Sequence, residues 1–367
     1  MITDTAPATR HWGHTSYTSA QVSGFPLGYD REATPVAATI PGTPDRPLRR
    51  ALERCAGVVA AFDGKLGDSL LALGAVAAIT DALDVLGRNV PLTTVGRYGH
   101  LYPTGWTNGV RASPPRLIVG DEPGLALASP TRDDHVICCR PEQAHCRIDG
   151  PRAHPFLPAR YYLGIEERLG LRLPGTPPFL PPLAHDSPSP EEEGLTIAAV
   201  TATSWPGRKD YGAERFTAAA QEIARGSRRR VRLLLVSGHG PTAPAPPDTA
   251  EARVQPVTGA DLRTLTDLFA RCDVILGNDT GLTHLAALVS AKAQVIGLYG
   301  RHSHSKWRTG LSRHHALATP FSEHMHRQDL CPVRDRTHET DNERRAPLSA
   351  ISPATLADTA LQALEHP

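Results

Sequence analysis

The chain has 367 residues, with 39 Lys and Arg against 38 Asp and Glu, giving a formal net charge of +1. This length suits two domains of ordinary size. The near-even charge balance excludes the strong global field that draws proteins to nucleic acid or anionic membranes. Apolar residues at 40% and charged residues at 21% describe a soluble globular chain with ample core. No stretch approaches the ~20 continuous apolar residues of a membrane span, and Met1 to Leu48 lacks the basic-then-apolar order of a secretory signal. Six cysteines without CxxC spacing read as reduced thiols in a cytoplasmic protein. Arg carries almost all the basic charge, and the only lysines are Lys65, Lys209, Lys292 and Lys306.

Residues 1–48 are rich in Thr, Pro, Gly, Ser and Ala and show neither helical nor strand periodicity. They are expected to form an N-terminal extension, with order beginning near Arg49. Ala56 to Phe62 is a short apolar run that predicts a buried strand. The turn Asp63-Gly64-Lys65-Leu66-Gly67-Asp68 follows, and then an Ala- and Leu-rich helix from Ser69 to Leu86. Further strands are expected at Arg116–Val119 and His135–Cys138. The Pro-rich stretch Leu173 to Gly194, with Ser187-Pro188-Ser189-Pro190 and Glu191-Glu192-Glu193, predicts an interdomain linker, placed at 186–194. The first domain is therefore expected at 49–185 and the second at 195–335, with a charged loop and a final helix, Thr355–Glu365, in 336–367.

After the linker the rhythm is regular. Strands are expected at Thr196–Val200, Val231–Val236, Asp273–Leu276 and Gln294–Leu298, and helices at Ala213–Arg225, Asp261–Arg271 and Leu282–Val289. Strand alternating with helix predicts a parallel, doubly wound α/β sheet. Ligands of such sheets sit at the carboxyl ends of the strands, so the expected site is a cleft lined by those ends.

Three segments at such positions carry chemistry. Gly64-Lys65-Leu66-Gly67-Asp68 has glycines that permit a tight turn. Asp68, in the first helical turn, reads either as an acid favoured by the helix dipole or as a general base. The segment is neither a Walker loop nor a GxGxxG fingerprint. Gly277-Asn278-Asp279-Thr280-Gly281-Leu282-Thr283-His284 follows a strand and opens a helix. A helix cap explains Asp279 or Thr280, while Gly281 and His284 add the close approach and polarity that an oxygen-rich ligand needs. The loop Thr201 to Lys209 sets Thr203 and Ser204 before Arg208 and Lys209, which suits either a phosphate or an ordinary basic surface.

Together, in this order and separation, the three segments resemble the heptosyltransferase family (glycosyltransferase family 9). The resemblance runs from about Val58 to Trp307 and is closest over Asp273 to Ala287. It implies a GT-B fold of two Rossmann-like domains and an inverting, metal-independent glycosyltransferase. It also implies a nucleotide-diphosphate-sugar donor and no separate cofactor. Carried over position by position, Asp68 matches the catalytic base and Lys209 the lysine that contacts donor phosphate. Gly67, Thr203, Ser204, Asp279, Thr280, Gly281 and His284 match donor-binding positions. The sequence departs from the pattern at Gly74, where the family usually has Pro, in the loop Trp205-Pro206-Gly207, and in the extension.

The Arg/Ala/Pro-rich composition resembles that of actinobacterial proteins, and no basic amphipathic stretch suggests docking on a membrane. The expected donor is an ADP- or GDP-linked heptose or hexose, and the expected acceptor a small molecule such as an antibiotic intermediate. No nucleic-acid partner and no stable membrane insertion are expected. The alternatives are a lipopolysaccharide-type heptosyltransferase, a silent sugar-nucleotide-binding paralogue and, more remotely, an epimerase. The groups His302-Ser303-His304, His324 with His326 and Cys331, and Cys138-Cys139 with His145-Cys146 lack the paired spacing of zinc sites. They read as surface histidines and buried thiols.

Overall fold

The computed structural model describes residues 45–103, 105–108, 112–141, 144, 156–183, 194–204, 209–238, 247–249, 251–300, 302, 304, 306–319, 322 and 348–365. It also describes two short antiparallel ladders, Arg10–His11 with Pro35–Val36 and Gln21–Val22 with Phe25–Pro26. The expected linker up to Glu193, the loop Trp205-Pro206-Gly207 and the charged loop from Arg334 to Arg345 lie outside these residues. So do His145, Cys146, Ser303, His324, His326 and Cys331. The chain divides into two compact units, the described parts of the first lying within 10–11, 35–36 and 45–183 and of the second within 21–22, 25–26 and 194–365.

The first unit opens with a helix whose first three residues, Arg46 to Leu48, fall in the expected irregular extension. Helix α1, Arg46–Arg54, begins at Asp45, whose side chain accepts from Leu48 N at 3.0 Å, with Pro47 in the first turn. The correction has a simple cause. The Arg-rich sequence exposes most of the helix, and only Leu48 and Leu52 are buried to mark a period. Next come β1 (Gly57–Ala61), α2 (Leu66–Val85), β2 (Leu92–Val95), β3 (Thr107–Asn108), β4 (Arg116–Gly120), α3 (Glu122–Ala128), β5 (His135–Cys138) and α4 (Leu157–Leu169). The five strands are parallel in the order β3-β2-β1-β4-β5. Every residue of β1 and β4 is buried, as expected for central strands covered on both faces.

Helix α2 is long and apolar enough to cross a membrane by length and composition, but 67% of its most apolar window is buried within the protein. It is the core helix of this unit, and it packs on α4. At Gly74 the approach is so close that a Cβ would lie 2.3 Å from the carbonyl oxygen of Pro158. The departure noted in the sequence thus has a packing cause: only glycine fits there. Of the described cysteines, Cys55, Cys139 and Cys272 are buried and Cys138, on edge strand β5, is exposed.

The second unit contains β6 (Leu195–Val200), α5 (Ala213–Ser227), β7 (Val231–Val236), β8 (Ala252–Val257), α6 (Leu262–Arg271), β9 (Val274–Asn278), α7 (Gly281–Val289), β10 (Gln294–Tyr299), β11 (His314–Ala318) and α8 (Pro353–Glu365). Its six parallel strands run β8-β7-β6-β9-β10-β11. The core combines Ile197 and Leu233 of the sheet with Phe216 and Ile223 of α5 and Leu356 and Ala360 of α8. In both units the strand order reverses beside the first strand, between β1 and β4 and between β6 and β9. Loops leaving the two strands at such a point diverge and leave a crevice at their carboxyl ends.

Candidate active site

In the second unit the reversal sets the loop after β6 beside the turn from β9 to α7. Val200 pairs with Gly277, and Asp279 N donates to Leu298 O at 3.1 Å. The turn is held by Asn278, which is fully buried: its Oδ1 accepts from Tyr211 N at 3.1 Å and its Nδ2 donates to Thr201 O at 3.3 Å. Thr283 Oγ1 donates back to Asn278 O at 2.6 Å, and a Cβ on Gly277 would lie 2.2 Å from that hydroxyl. The small and polar residues of this segment are therefore needed to fold it before any ligand is considered.

Asn278, Asp279 and Thr280 were all candidate helix caps. None caps through its side chain. Thr280 occupies the cap position without a side-chain hydrogen bond, and its Oγ1 is buried with no partner among the described residues. Asp279, 6% exposed, turns its carboxylate to Lys209 instead. Lys209 Nζ donates to Asp279 Oδ2 at 2.8 Å and to Asp279 O at 3.2 Å. His302 completes the group, with Nδ1 at 3.0 Å from both Lys209 Nζ and Asp279 Oδ2. One nitrogen cannot accept from the ammonium and donate to the carboxylate in a single tautomer, so His302 has two alternative partners. Its ring lies 5.4 Å from that of Trp307, and Ser322 Oγ donates to its carbonyl oxygen at 2.5 Å.

Burial alone would raise the Asp279 carboxyl, but the Lys209 ammonium and the His302 hydrogen bond outweigh it and hold the carboxyl well below the usual range. His284 Nε2 stands 3.9 Å from Asp279 Oδ1, too far for a hydrogen bond, and its buried Nδ1 has no partner among the described residues. Burial lowers the His284 pKa to about 4, with Asp279 opposing and Lys209 reinforcing the shift, so the imidazole is neutral at pH 7.

Lys209, Asp279 and His284, all expected from sequence, thus come together, with Thr280 and Gly281 at the adjoining helix start. Thr203 is half-buried and Ser204 exposed on the loop leaving β6. His302 was missed and read as a surface histidine. Its position just beyond the carboxyl end of β10 was the available signal, since the three strands that place Lys209, Asp279 and His302 are consecutive in the sheet. No group of three potential metal ligands occurs among the described residues.

In the first unit, Gly67 and Asp68 are half-buried in the first turn of α2. The turn before them is tied down by Asp121, at the end of β4, whose carboxylate accepts from Asp63 N (3.1 Å), Gly64 N (2.9 Å) and Ser69 Oγ (3.2 Å). Tyr98 Oη donates to Gly64 O at 2.9 Å. Neither Asp121 nor Tyr98 was singled out from sequence.

Residues 185–334 match the family model described as glycosyltransferase family 9 (heptosyltransferase). Over this region, 150 of the 367 residues, the chain is similar to family 9 glycosyltransferases. The matched residues include Thr203, Ser204, Lys209, Asp279, Thr280, Gly281, His284 and His302, while Asp68 lies outside them. Among solved structures, a family 9 glycosyltransferase from Veillonella parvula DSM 2008 is similar at 15% identity and TM-score 0.57, over 85% of this chain and 98% of that one. The E. coli heptosyltransferase WaaC with ADP follows at 16% identity and TM-score 0.47, over 72% of this chain and 93% of that one. At these identities the likeness is one of fold, and it rests on the first structure. It makes the two parallel α/β units a GT-B architecture, as the motifs implied. No curated protein matches the chain.

Proposed function

We propose that the protein moves a heptose or hexose from an ADP- or GDP-linked donor to a hydroxyl of a small-molecule acceptor, inverting the anomeric centre. The observation that carries this reading is the convergence of Lys209, Asp279 and His302 at the carboxyl edge of the second sheet, beside a helix start with no side-chain cap. The backbone N–H groups of that start suit a diphosphate, as does a fixed ammonium beside them. Asp279 orients the ammonium, and a donor phosphate oxygen is the anion that Lys209 and His302 would hold together. The acceptor oxygen attacks the anomeric carbon, its proton passes to the Asp68 carboxylate, and the carbon–oxygen bond to the diphosphate breaks. The nucleoside diphosphate leaves with the bonding electrons, its new charge stabilised by Lys209 and the start of α7. In this scheme cationic and backbone donors do the work for which other transferases use a metal ion.

The test is calorimetric titration with ADP, GDP, UDP and dTDP, followed by a transfer assay with the matching sugar nucleotides. One diphosphate is expected to bind selectively. Asp279→Ala should lose that binding, whereas Asp68→Ala should keep it and lose transfer. Failure of every nucleotide to bind would sink the proposal. Transfer to lipid-linked acceptors only would instead favour the lipopolysaccharide-type alternative.

A further inference from the structure

The Asp121 carboxylate does more than cap a helix. Capping α3 requires one oxygen on one amide, and Oδ1 does this with Gly124 N at 2.8 Å. The remaining capacity goes to a segment 52–58 residues earlier in the chain: Asp63 N on Oδ1, then Gly64 N and Ser69 Oγ on Oδ2. Each oxygen thus accepts two hydrogen bonds, which fills a carboxylate. Those donors bracket the turn that leads into α2. Asp63 and Gly64 stand before it, and Ser69 is the residue next to Asp68. The turn is also held by the loop after β2: Asp63 Oδ1 accepts from Arg97 N at 2.9 Å, and Tyr98 Oη donates to Gly64 O. Gly64 is required here, since a Cβ would lie 2.7 Å from Asp121 Oδ2. β1 and β4 are the neighbouring strands where the sheet order reverses, with Ala61 paired to Gly120, so Asp121 bridges the two sides of the first unit's crevice.

We infer that Asp121 is a positioning residue, fixing the Asp63–Ser69 turn so that Asp68 is presented in one orientation as the base. This rests on the assignment of Asp68 above. A carboxylate is needed because an amide in its place offers one oxygen and turns an NH2 group towards two donors.

The experiment compares Asp121→Asn and Ser69→Ala with wild type, each alone and in an Asp68→Ala background. Asp121→Asn is expected to lower kcat by about 10²-fold, the order of loss that follows a displaced catalytic group, with donor KM and nucleotide affinity within about twofold. Ser69→Ala, which keeps the cap and two of the three ties, should lower kcat less. In the Asp68→Ala background neither should reduce the residual rate further. Amide hydrogen exchange gives a readout independent of activity: Asp63 and Gly64 should be protected in wild type and lose protection in Asp121→Asn. An undiminished effect in the Asp68→Ala background would overturn the inference, as would unprotected wild-type amides. If Asp121→Asn does not fold, Ser69→Ala and the wild-type exchange decide the matter. If wild-type protein transfers no sugar, the functional proposal fails while the exchange data still report on the anchor.

Discussion

Lys209, Asp279 and His302 form a pair and a witness rather than three independent ligands. The Lys209 and Asp279 side chains are 12% and 5% exposed, so removing either leaves a charge with little water to replace its partner. Lys209→Met is expected to destabilise the protein by about 3–5 kcal/mol, and adding Asp279→Asn should recover part of that loss. Urea denaturation of the single and double variants checks this, and equal losses with no recovery would mean that the pair is not coupled. His302 sits at the edge of the pair and is more exposed, at 28%. Its replacement by Ala should spare the fold but weaken binding of the preferred nucleoside diphosphate about tenfold, the equivalent of one charge-assisted hydrogen bond. Unchanged affinity in calorimetry would reduce it to a packing neighbour of Trp307.

The same glycine chemistry has opposite consequences in two neighbouring helices. Gly74 in α2 faces the backbone of Pro158, whereas a Cβ on Gly164 in α4 would meet nothing within 4 Å. Gly74→Ala should therefore cost about 1–3 kcal/mol through overpacking, and Gly164→Ala should gain about 0.5–1 kcal/mol by restricting the unfolded chain. Thermal melts of the two variants must move in opposite directions for this account of the α2–α4 contact to stand. Strands buried on both faces were legible in the sequence because they carry unbroken apolar runs, as in Leu233–Val236 and Val295–Leu298. The elements that escaped notice have mixed surroundings. α4 buries Arg160 and Glu166 among its apolar residues, which hides the helical period, and β11 is a wholly buried strand that opens with two histidines. β8, on the sheet edge, carries Arg253, Gln255 and Pro256 and exposes all three. The site followed the same division. The β9–α7 turn was readable because several uncommon residues occur together, while Asp121 and His302 are single residues whose partners lie far away in sequence.

At the scale of the whole molecule, the buried histidines set an acid limit to stability. The His284 pKa drops from the usual 6.5 to about 4 in the fold, chiefly through burial, so the unfolded chain binds its proton more readily. This contribution is fully present above about pH 6.5 and is lost as pH falls towards 4, to a total of about 3 kcal/mol. His314, buried 5.9 Å from the His284 ring and lowered in the same direction, adds to the same slope. Melting temperatures from pH 8 to 4 should fall most steeply below pH 6.5, and His284→Gln should flatten the curve. A profile that is flat down to pH 4 would contradict the burial of both rings. The thiols divide along similar lines. Burial pushes Cys55, Cys139 and Cys272 upward, Cys272 to about 12, whereas Cys138 lies open on its edge strand. Thiolate is the form that alkylating reagents attack, so among these four cysteines a maleimide dye would select Cys138. The first unit thus comes with a fluorophore attachment point of its own, two strands across the sheet from the turn that carries Asp68.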